Sequence, residues 1–376
     1  MSALLPVVDI SPFRDGIGTI TSKHQETINQ LREALLNQGF FYLTGHGIPK
    51  STTDEILSLA RRFFQQDAKT KQSIKRQDPG IGLGDGARGY QVIGESKISS
   101  ADQVSTFIPA DVTQGSRDWH EGLDWYRPIH DAEGLEAAEL FLGNDGIAVA
   151  NTKHSSRPSP FSLLHGINLW PSCPSGFRAI YEDYVTQVLA VGTLVLRAMG
   201  HALDLNDPEF FVRHTRESFW VMRAIGYPPL DSELASQGGV SCGEHSDYGC
   251  LTLLLQDETK GALMVKGQGD MEGEWIIANP VEGAYVVNVG DMVELWTGGL
   301  VKSTKHRVIH TGANYRVSVP FFMEPDRDCL VKPLGECIER LHKVGAQVTA
   351  DKEITYWNHL VSKVGGNFYA NEKIAQ

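Results

Sequence analysis

Apolar positions in the first seventy residues fall into two periods. Leu5-Pro6-Val7-Val8-Asp9-Ile10 reads as a short strand, stopped by Ser11-Pro12. From about Ser22 to Gln38, Ile28, Leu31 and Leu35 recur at helical spacing, and Gly39 is placed to close that helix as its C′ residue. Phe40-Phe41-Tyr42-Leu43 follows as a compact aromatic strand, and a second helix fits about Ser51 to Gln66. A long helix spans about Gly176 to Ala202. Val185, Leu189, Val191, Leu194 and Leu196 make it apolar enough to back a sheet.

After Phe219 the texture changes to short strands split by turns. Val221 to Ile225, Leu251 to Leu255, Ala262 to Val265, Trp275 to Ala278, Ala284 to Val289, Met292 to Trp296, Lys305 to Ile309 and Arg316 to Phe322 are the candidates. Turn signals such as Pro228-Pro229, Gly249, Gly273, Gly290-Asp291 and Gly298-Gly299 separate many of them. That pattern predicts a sandwich or jelly roll. From about Pro333 to Leu360 the pattern returns to helix. No internal repeat or low-complexity run is present. The chain divides into an N-terminal helical and β region over 1–130, an inserted surface segment over 131–165, and a β core with helices over 166–376. The three together are expected to form one compact unit.

Composition narrows the partners. Of the 376 residues, 41% are hydrophobic, which is enough for a sizeable core. The formal charge of -12 works against nucleic acid or an anionic membrane surface, because phosphate binding wants a basic face. Cys173, Cys242, Cys250, Cys329 and Cys337 are odd in number, widely spaced and free of any CxxC pair. A disulfide framework or zinc knuckle is therefore not expected, and a reducing, cytoplasmic compartment is. The apolar start Met1 to Pro6 lacks a basic n-region, so no signal peptide is read, and no run approaches the roughly 18 apolar residues of a membrane span. The glycines between Gln77 and Gly89 mark a loop; without a Gly-Lys-Ser/Thr that loop is no phosphate cradle.

The sharpest chemical signal is His245-Ser246-Asp247. On a strand, residues two apart point the same way, so both side chains reach one ion. His306, on another predicted strand, supplies a third ligand. Two imidazoles and a carboxylate with open positions suit non-haem iron(II), whereas zinc more often closes its shell with cysteine or a tetrahedral set. An isolated His-x-Asp reads more readily as a surface turn with a hydrogen-bonded His–Asp pair. Three neighbours tip the balance: Gly243 and Gly249 on either side, the strand start around His306, and Arg316-Val317-Ser318 ten residues beyond it. An inward arginine in a β fold needs an anion, since a buried unpaired charge is costly. Its fork grips a carboxylate by two parallel hydrogen bonds, and the Ser318 hydroxyl can add a third. The distal carboxylate of 2-oxoglutarate is such a ligand. The blander reading of Arg316 is a structural salt bridge.

These residues resemble a family: the isopenicillin-N-synthase-like branch of the iron(II)/2-oxoglutarate dioxygenases, with its plant flavonoid and gibberellin oxidases. The likeness runs through Leu5-Pro6-Val7-Val8-Asp9, Gly39-Phe40-Phe41-Tyr42, Gly45-His46-Gly47-Ile48-Pro49, Arg88-Gly89-Tyr90, Asn168-Leu169-Trp170-Pro171 and Tyr227-Pro228-Pro229. It continues through His245-Ser246-Asp247-Tyr248-Gly249, Val287-Asn288-Val289-Gly290-Asp291, Ser303 to Val308, and Arg316-Val317-Ser318. The resemblance implies a double-stranded β-helix, a jelly-roll core, with N-terminal and C-terminal helices packed around it. It implies His245, Asp247 and His306 as iron ligands, Arg316 and Ser318 as the co-substrate anchor, and Tyr227 as a hydrogen-bonding partner of the co-substrate. His46 is implied as structural, and His310 reads as a core or rim histidine.

One departure stands out. Relatives often read Asn-Tyr-Tyr-Pro where this chain has Ile225-Gly226-Tyr227-Pro228, so an asparagine that touches the co-substrate is missing, which points to a wider pocket. The implied activity consumes dioxygen and 2-oxoglutarate, releases succinate and carbon dioxide, and hydroxylates, desaturates, cyclises or demethylates a small organic substrate of secondary metabolism. Two alternatives stay open. One is a keto-acid-independent oxidase or ethylene-forming enzyme, the latter suggested by the Thr297-Gly298-Gly299 turn. The other is a metal-free binding descendant of the fold. Tyr90, Phe107, Trp296 and Phe322 are candidate pocket aromatics; the sequence leaves the substrate and oligomeric state open, a monomer being compatible with it.

Overall fold

A computed structural model describes residues 5–16, 18–78, 85–95, 118–128, 164, 166–231, 233 and 239–369. The segment 131–165, apart from Leu164, lies outside the described residues, as do Phe107 and most of the glycine-rich loop.

Fourteen strands are described: β1 (Val7–Asp9), β2 (Phe40–Thr44), β3 (Gly89–Gln91), β4 (Glu121–Tyr126), β5 (Val221–Tyr227), β6 (Cys242–His245), β7 (Leu251–Gln256), β8 (Leu263–Lys266), β9 (Trp275–Ile277), β10 (Tyr285–Val289), β11 (His306–Val308), β12 (Arg316–Met323), β13 (Leu330–Val331) and β14 (Ile354–Thr355). The helices are α1 (Ser22–Asn37), α2 (Lys50–Phe64), α3 (Ala68–Gln72), α4 (Phe177–Ala202), α5 (Phe210–His214), α6 (Asp291–Trp296), α7 (Gly335–Lys343) and α8 (Tyr356–Tyr369). Eight strands form one sheet in the order β1-β2-β10-β7-β12-β5-β4-β3, and β6-β11-β8-β9 form a second. Both sheets contribute to a single small apolar cluster, in which Phe40, Ile225 and Val286 of the first meet Cys242, Leu263 and Val308 of the second. This is the jelly roll expected from the strand pattern.

Strand β12 shows how period-two alternation builds it. Arg316, Ser318, Pro320 and Phe322 line the cavity between the sheets. Val317, Val319, Phe321 and Met323 point the other way, into the larger core with Val188, Val191 and Val195 of α4. The helix comes close: a Cβ at Gly192 would lie 2.5 Å from Met323 Sδ. Helix α4 is long and apolar enough to cross a membrane, but its buried face is the backing of this sheet. At the N-terminus, Thr21 and His24 cap α1 reciprocally, and Gly39 ends it with φ +68° before the chain enters β2.

Two expectations need correction. Residues Met292 to Trp296 form helix, not strand. Met292, Val293 and Trp296 are buried on one helical face, Gly290 precedes the first turn, and Asp291 and Glu294 sit where acidic residues favour a helix start. A five-residue, mostly apolar stretch fits either period, and this one obeys the helical one. The C-terminal helical stretch is also two helices, parted by β14, which pairs Val331 with Ile354. Strand β4 escaped the pattern because its inward charges are paired: Glu121 with Lys71 at 2.7 Å and Asp124 with Arg223 at 2.7 Å.

Candidate metal centre

His245 ends β6, and Asp247 follows in the loop to β7. His306 opens β11, whose Cα register places it directly opposite His245. The strand argument for His245 and Asp247 therefore holds only in part: the first is on a strand, and the second is carried by the loop. That loop is held from behind by α6. Asp291 N–H donates to Asp247 O at 2.8 Å and Met292 N–H to Gly249 O at 3.0 Å. Gly290 is required there, since a Cβ would lie 2.5 Å from Gly249 O and 2.8 Å from Asp247 O.

The three side chains meet. One ligand atom from each lies within 4.8 Å of the others. Asp247 Oδ1 is 3.8 Å from His245 Nε2 and 3.7 Å from His306 Nε2. The other donors are already committed. Asp247 Oδ2 accepts from Thr252 Oγ1 and, at 2.7 Å, from Asn288 Nδ2. His245 Nδ1 donates to Gly243 O at 2.8 Å and His306 Nδ1 to Thr304 O at 3.3 Å. Each imidazole thus carries its proton on Nδ1 and turns Nε2 toward the carboxylate oxygen left free. Burial, then the neighbouring His306, push His245 down to about 4, which keeps it a neutral ligand. The donor set fits a divalent iron with open coordination positions.

Arg316 sits in the same cavity, 0% exposed. Among the described residues no carboxylate comes within ion-pair distance of it. Its Nη2 donates to Gln256 Oε1 at 3.1 Å and its Nη1 to Ser318 Oγ at 3.5 Å, while Nε has no partner. Its guanidinium lies 4.7 Å from the centre of the Tyr227 ring. Burial pushes the Tyr227 phenol up to about 12, against the pull of Arg316 and a hydrogen bond with Ser318. A buried cation bonded only to neutral groups is costly until an anion joins it, so the structural salt bridge is not what Arg316 makes here.

The cavity, counted with the part that is open to solvent, spans about 600 Å³. Of the expected pocket aromatics, Phe322 lines it. Trp296 does not: it packs against Phe210, Phe211 and His214. Tyr90 is outside the lining and donates to Glu121 at 2.5 Å. Ile225, at the position of the missing asparagine, lines the cavity and makes that part of its wall apolar. The adjacent Gly226 faces away, under Tyr315 Oη. His310 is buried and bonded to Asn314 O at 2.7 Å, a core histidine as expected, and His46 bonds Gly283 O and Ile48 N–H. The Thr297-Gly298-Gly299 turn ends α6 against Leu341 and Thr349 and does not line the cavity. Sequence reasoning missed Thr252, Asn288, His120 and Arg223. Asn288 sits in the Val287-Asn288-Val289-Gly290-Asp291 match, which was signal enough; His120 had none.

A jelly roll holding two imidazoles and a carboxylate at one level, with an unpaired guanidinium deeper in, defines a class: a mononuclear iron oxygenase with a dicarboxylate co-substrate. Comparisons with known proteins agree. Residues 216–325 match the 2OG-Fe(II) oxygenase superfamily, and residues 5–173 match the non-haem dioxygenase in morphine synthesis N-terminal family. A homoarginine-6-hydroxylase of Glycine max is 34% identical over 97% of both chains. In fold, the chain is similar to a full-length Neurospora crassa protein solved in complex with alpha-KG, with TM-score 0.72 and 22% identity over 96% of both chains. It is also similar to JOX2 in complex with 2OG, Fe and JA, with TM-score 0.67 and 20% identity over 96% of this chain and 85% of that one. The chain belongs to the 2-oxoglutarate/iron(II) dioxygenases. It is a 2-oxoglutarate-dependent hydroxylase that uses iron(II) and dioxygen, and the metal-free and keto-acid-independent readings are set aside.

Proposed function

We propose that His245 Nε2, Asp247 Oδ1 and His306 Nε2 hold the iron, and that Arg316 with Ser318 binds the distal carboxylate of 2-oxoglutarate. The observation that carries the reading is the buried guanidinium without a carboxylate partner, in the cavity that also holds the triad. Bound iron and keto acid supply the oxidising chemistry, with succinate and carbon dioxide as by-products. The chain's own residues supply position and charge. Asp247 offsets part of the metal's charge. The Gly243 and Thr304 carbonyls fix which imidazole nitrogen faces it. Tyr227 supports Arg316 from below and offers its hydroxyl to the same carboxylate. Phe40, Leu254, Leu263, Val308 and Phe322 keep the chamber apolar, which limits water near the reacting centre.

The substrate in this reading is a small metabolite with an aliphatic C–H presented to the metal, and L-homoarginine is the first candidate because of the relative's activity. The net charge of -12 supports a small molecule over nucleic acid, and the unpaired cysteines support a reducing, cytoplasmic compartment. The test is anaerobic loading with iron(II) and 2-oxoglutarate, followed by oxygen and L-homoarginine. A visible charge-transfer band and one succinate per hydroxylated product are expected. No band, or succinate yield independent of every substrate offered, would refute the reading.

A further inference from the structure

Beside β6, the strand that ends at His245, a further buried polar atom of the cavity wall has nothing to bond among the described residues. His120 precedes β4 and is 3% exposed. It lines the cavity beside Tyr227, ring centres 5.5 Å apart. Its Nδ1 lies 2.7 Å from Ser241 O. A carbonyl oxygen only accepts, so Nδ1 carries the proton. Burial, reinforced by Arg223, pushes the imidazole down to about 4, so it holds no second proton near neutrality. Nε2 is therefore a bare lone pair, and among the described residues it has no hydrogen-bond partner. The bond to Ser241 O holds the ring in this orientation. Asp118 Oδ1 accepts from Gly243 N–H at 2.9 Å, which ties the segment before β4 to β6.

The neighbouring charge does not serve His120. Arg223, also in the cavity wall, is paired through Nε with Asp124 Oδ1 at 2.7 Å and reaches Gln91 Oε1 at 3.4 Å. The rest of the wall nearby is Ile225 and Cys242. A buried acceptor that none of the neighbouring side chains serves selects for a donor in whatever fills the space. 2-Oxoglutarate, ionised at neutral pH, has no donor to give, so the matching group belongs to the other occupant.

We propose that His120 Nε2 receives an O–H or N–H group of the organic substrate, so that this enzyme takes hydrogen-bond-donating molecules, namely alcohols, amides, amines or guanidines, over ethers, esters and hydrocarbons of the same shape. The inference rests on the cavity being the substrate chamber of the proposed oxygenase. His120 is a specificity-determining residue that does not act on the metal.

The full chain, loaded anaerobically with iron(II) and 2-oxoglutarate, is titrated with matched probes: benzyl alcohol against benzyl methyl ether, and N-benzylacetamide against its N-methylated form. The shift of the charge-transfer band reports entry beside the metal. In the wild type the donor member of each pair is expected to bind roughly tenfold tighter. In His120→Phe the ratio falls to near one with the affinity for 2-oxoglutarate unchanged, and in His120→Asn, whose amide oxygen still accepts, part of the preference returns. A wild-type ratio near one, or a ratio that His120→Phe leaves intact, overturns the proposal. Loss of 2-oxoglutarate binding in His120→Phe also overturns it, by placing His120 in the co-substrate site. So does a second equivalent of iron(II) that His120→Phe abolishes, since Asp118, His120 and Cys242 would then be a metal site. Failure of the oxygenase reading shows differently, as a wild type that forms no band. The probe ratios are then measured by ligand-observed NMR on the metal-free chain, where a donor preference lost in His120→Phe supports the proposal and a ratio near one in the wild type overturns it.

Discussion

Asn288 donates its side-chain N–H to Asp247 Oδ2 at 2.7 Å, and that bond decides which carboxylate oxygen faces the two imidazoles. Asn288 is on β10, and its strand partner Thr252 on β7 donates to the same oxygen. Two adjacent strands of the large sheet thus orient a ligand carried by a loop. Replacing Asn288 by Ala should weaken iron(II) binding roughly 10–100-fold, as removal of such outer partners does, with little change in Tm. Calorimetric titration of the anaerobic chain checks it; unchanged affinity would mean the loop alone orients Asp247.

Arg316→Ala should leave iron binding intact and cost on the order of 2–5 kcal/mol of 2-oxoglutarate affinity, because it removes one partner of a buried charge-assisted pair. Arg316→Lys should recover only a part, since a point charge cannot reproduce the two-pronged grip. Titration of the charge-transfer band gives both constants. Equal weakening of iron and keto acid would place Arg316 in a structural role.

Gly290→Ala should loosen the metal loop. The added carbon meets the backbone oxygens of Gly249 and Asp247, which cannot rotate away as a flexible side chain would. We expect a loss of about 1–3 kcal/mol in stability together with weaker iron binding. Denaturant melts and iron titration on the same variant measure the two; loss of one without the other would uncouple α6 from the metal loop.

Stability should fall at both ends of the pH scale, for opposite reasons. Burial pushes Glu324 from 4.5 up to about 8. A raised folded value means its contribution is complete below about 4.5 and is lost as pH climbs through about 8, on the order of 5 kcal/mol in all. His120 and His245 are pushed down from 6.5 to about 4, so their contribution is present above 6.5 and lost as pH falls toward 4. In Glu324→Gln, metal-free, the alkaline decline should flatten while the acidic one remains. Parallel wild-type and variant curves from pH 5 to 8 would show that Glu324 is ionised throughout.

Much of the fold was legible along the chain, because half-buried strands and backing helices write their exposure as periods of two and 3.6. α1 is an example, with one face to the core, and β12 alternates between a cavity face that holds Arg316 and Ser318 and a wholly apolar core face. Elements whose exposure follows another rule were not legible. β4 is buried on both faces and carries paired charges, so it shows no alternation. The six residues of α6 are too few to separate one period from the other.

For the site, local order alone determined the residue types: His245, Asp247, His306 and Arg316 are stated by the chain, and their chemistry restricts the ion and the co-substrate. The arrangement came from folding. That His245 faces His306 depends on β6 and β11 pairing across sixty intervening residues, and that Arg316 meets no carboxylate among the described residues depends on which side chains its neighbouring strands turn inward. His120 illustrates the difference most plainly. A histidine is ordinary in a sequence, and only the position of Ser241 O fixes its proton on one nitrogen and leaves the other bare.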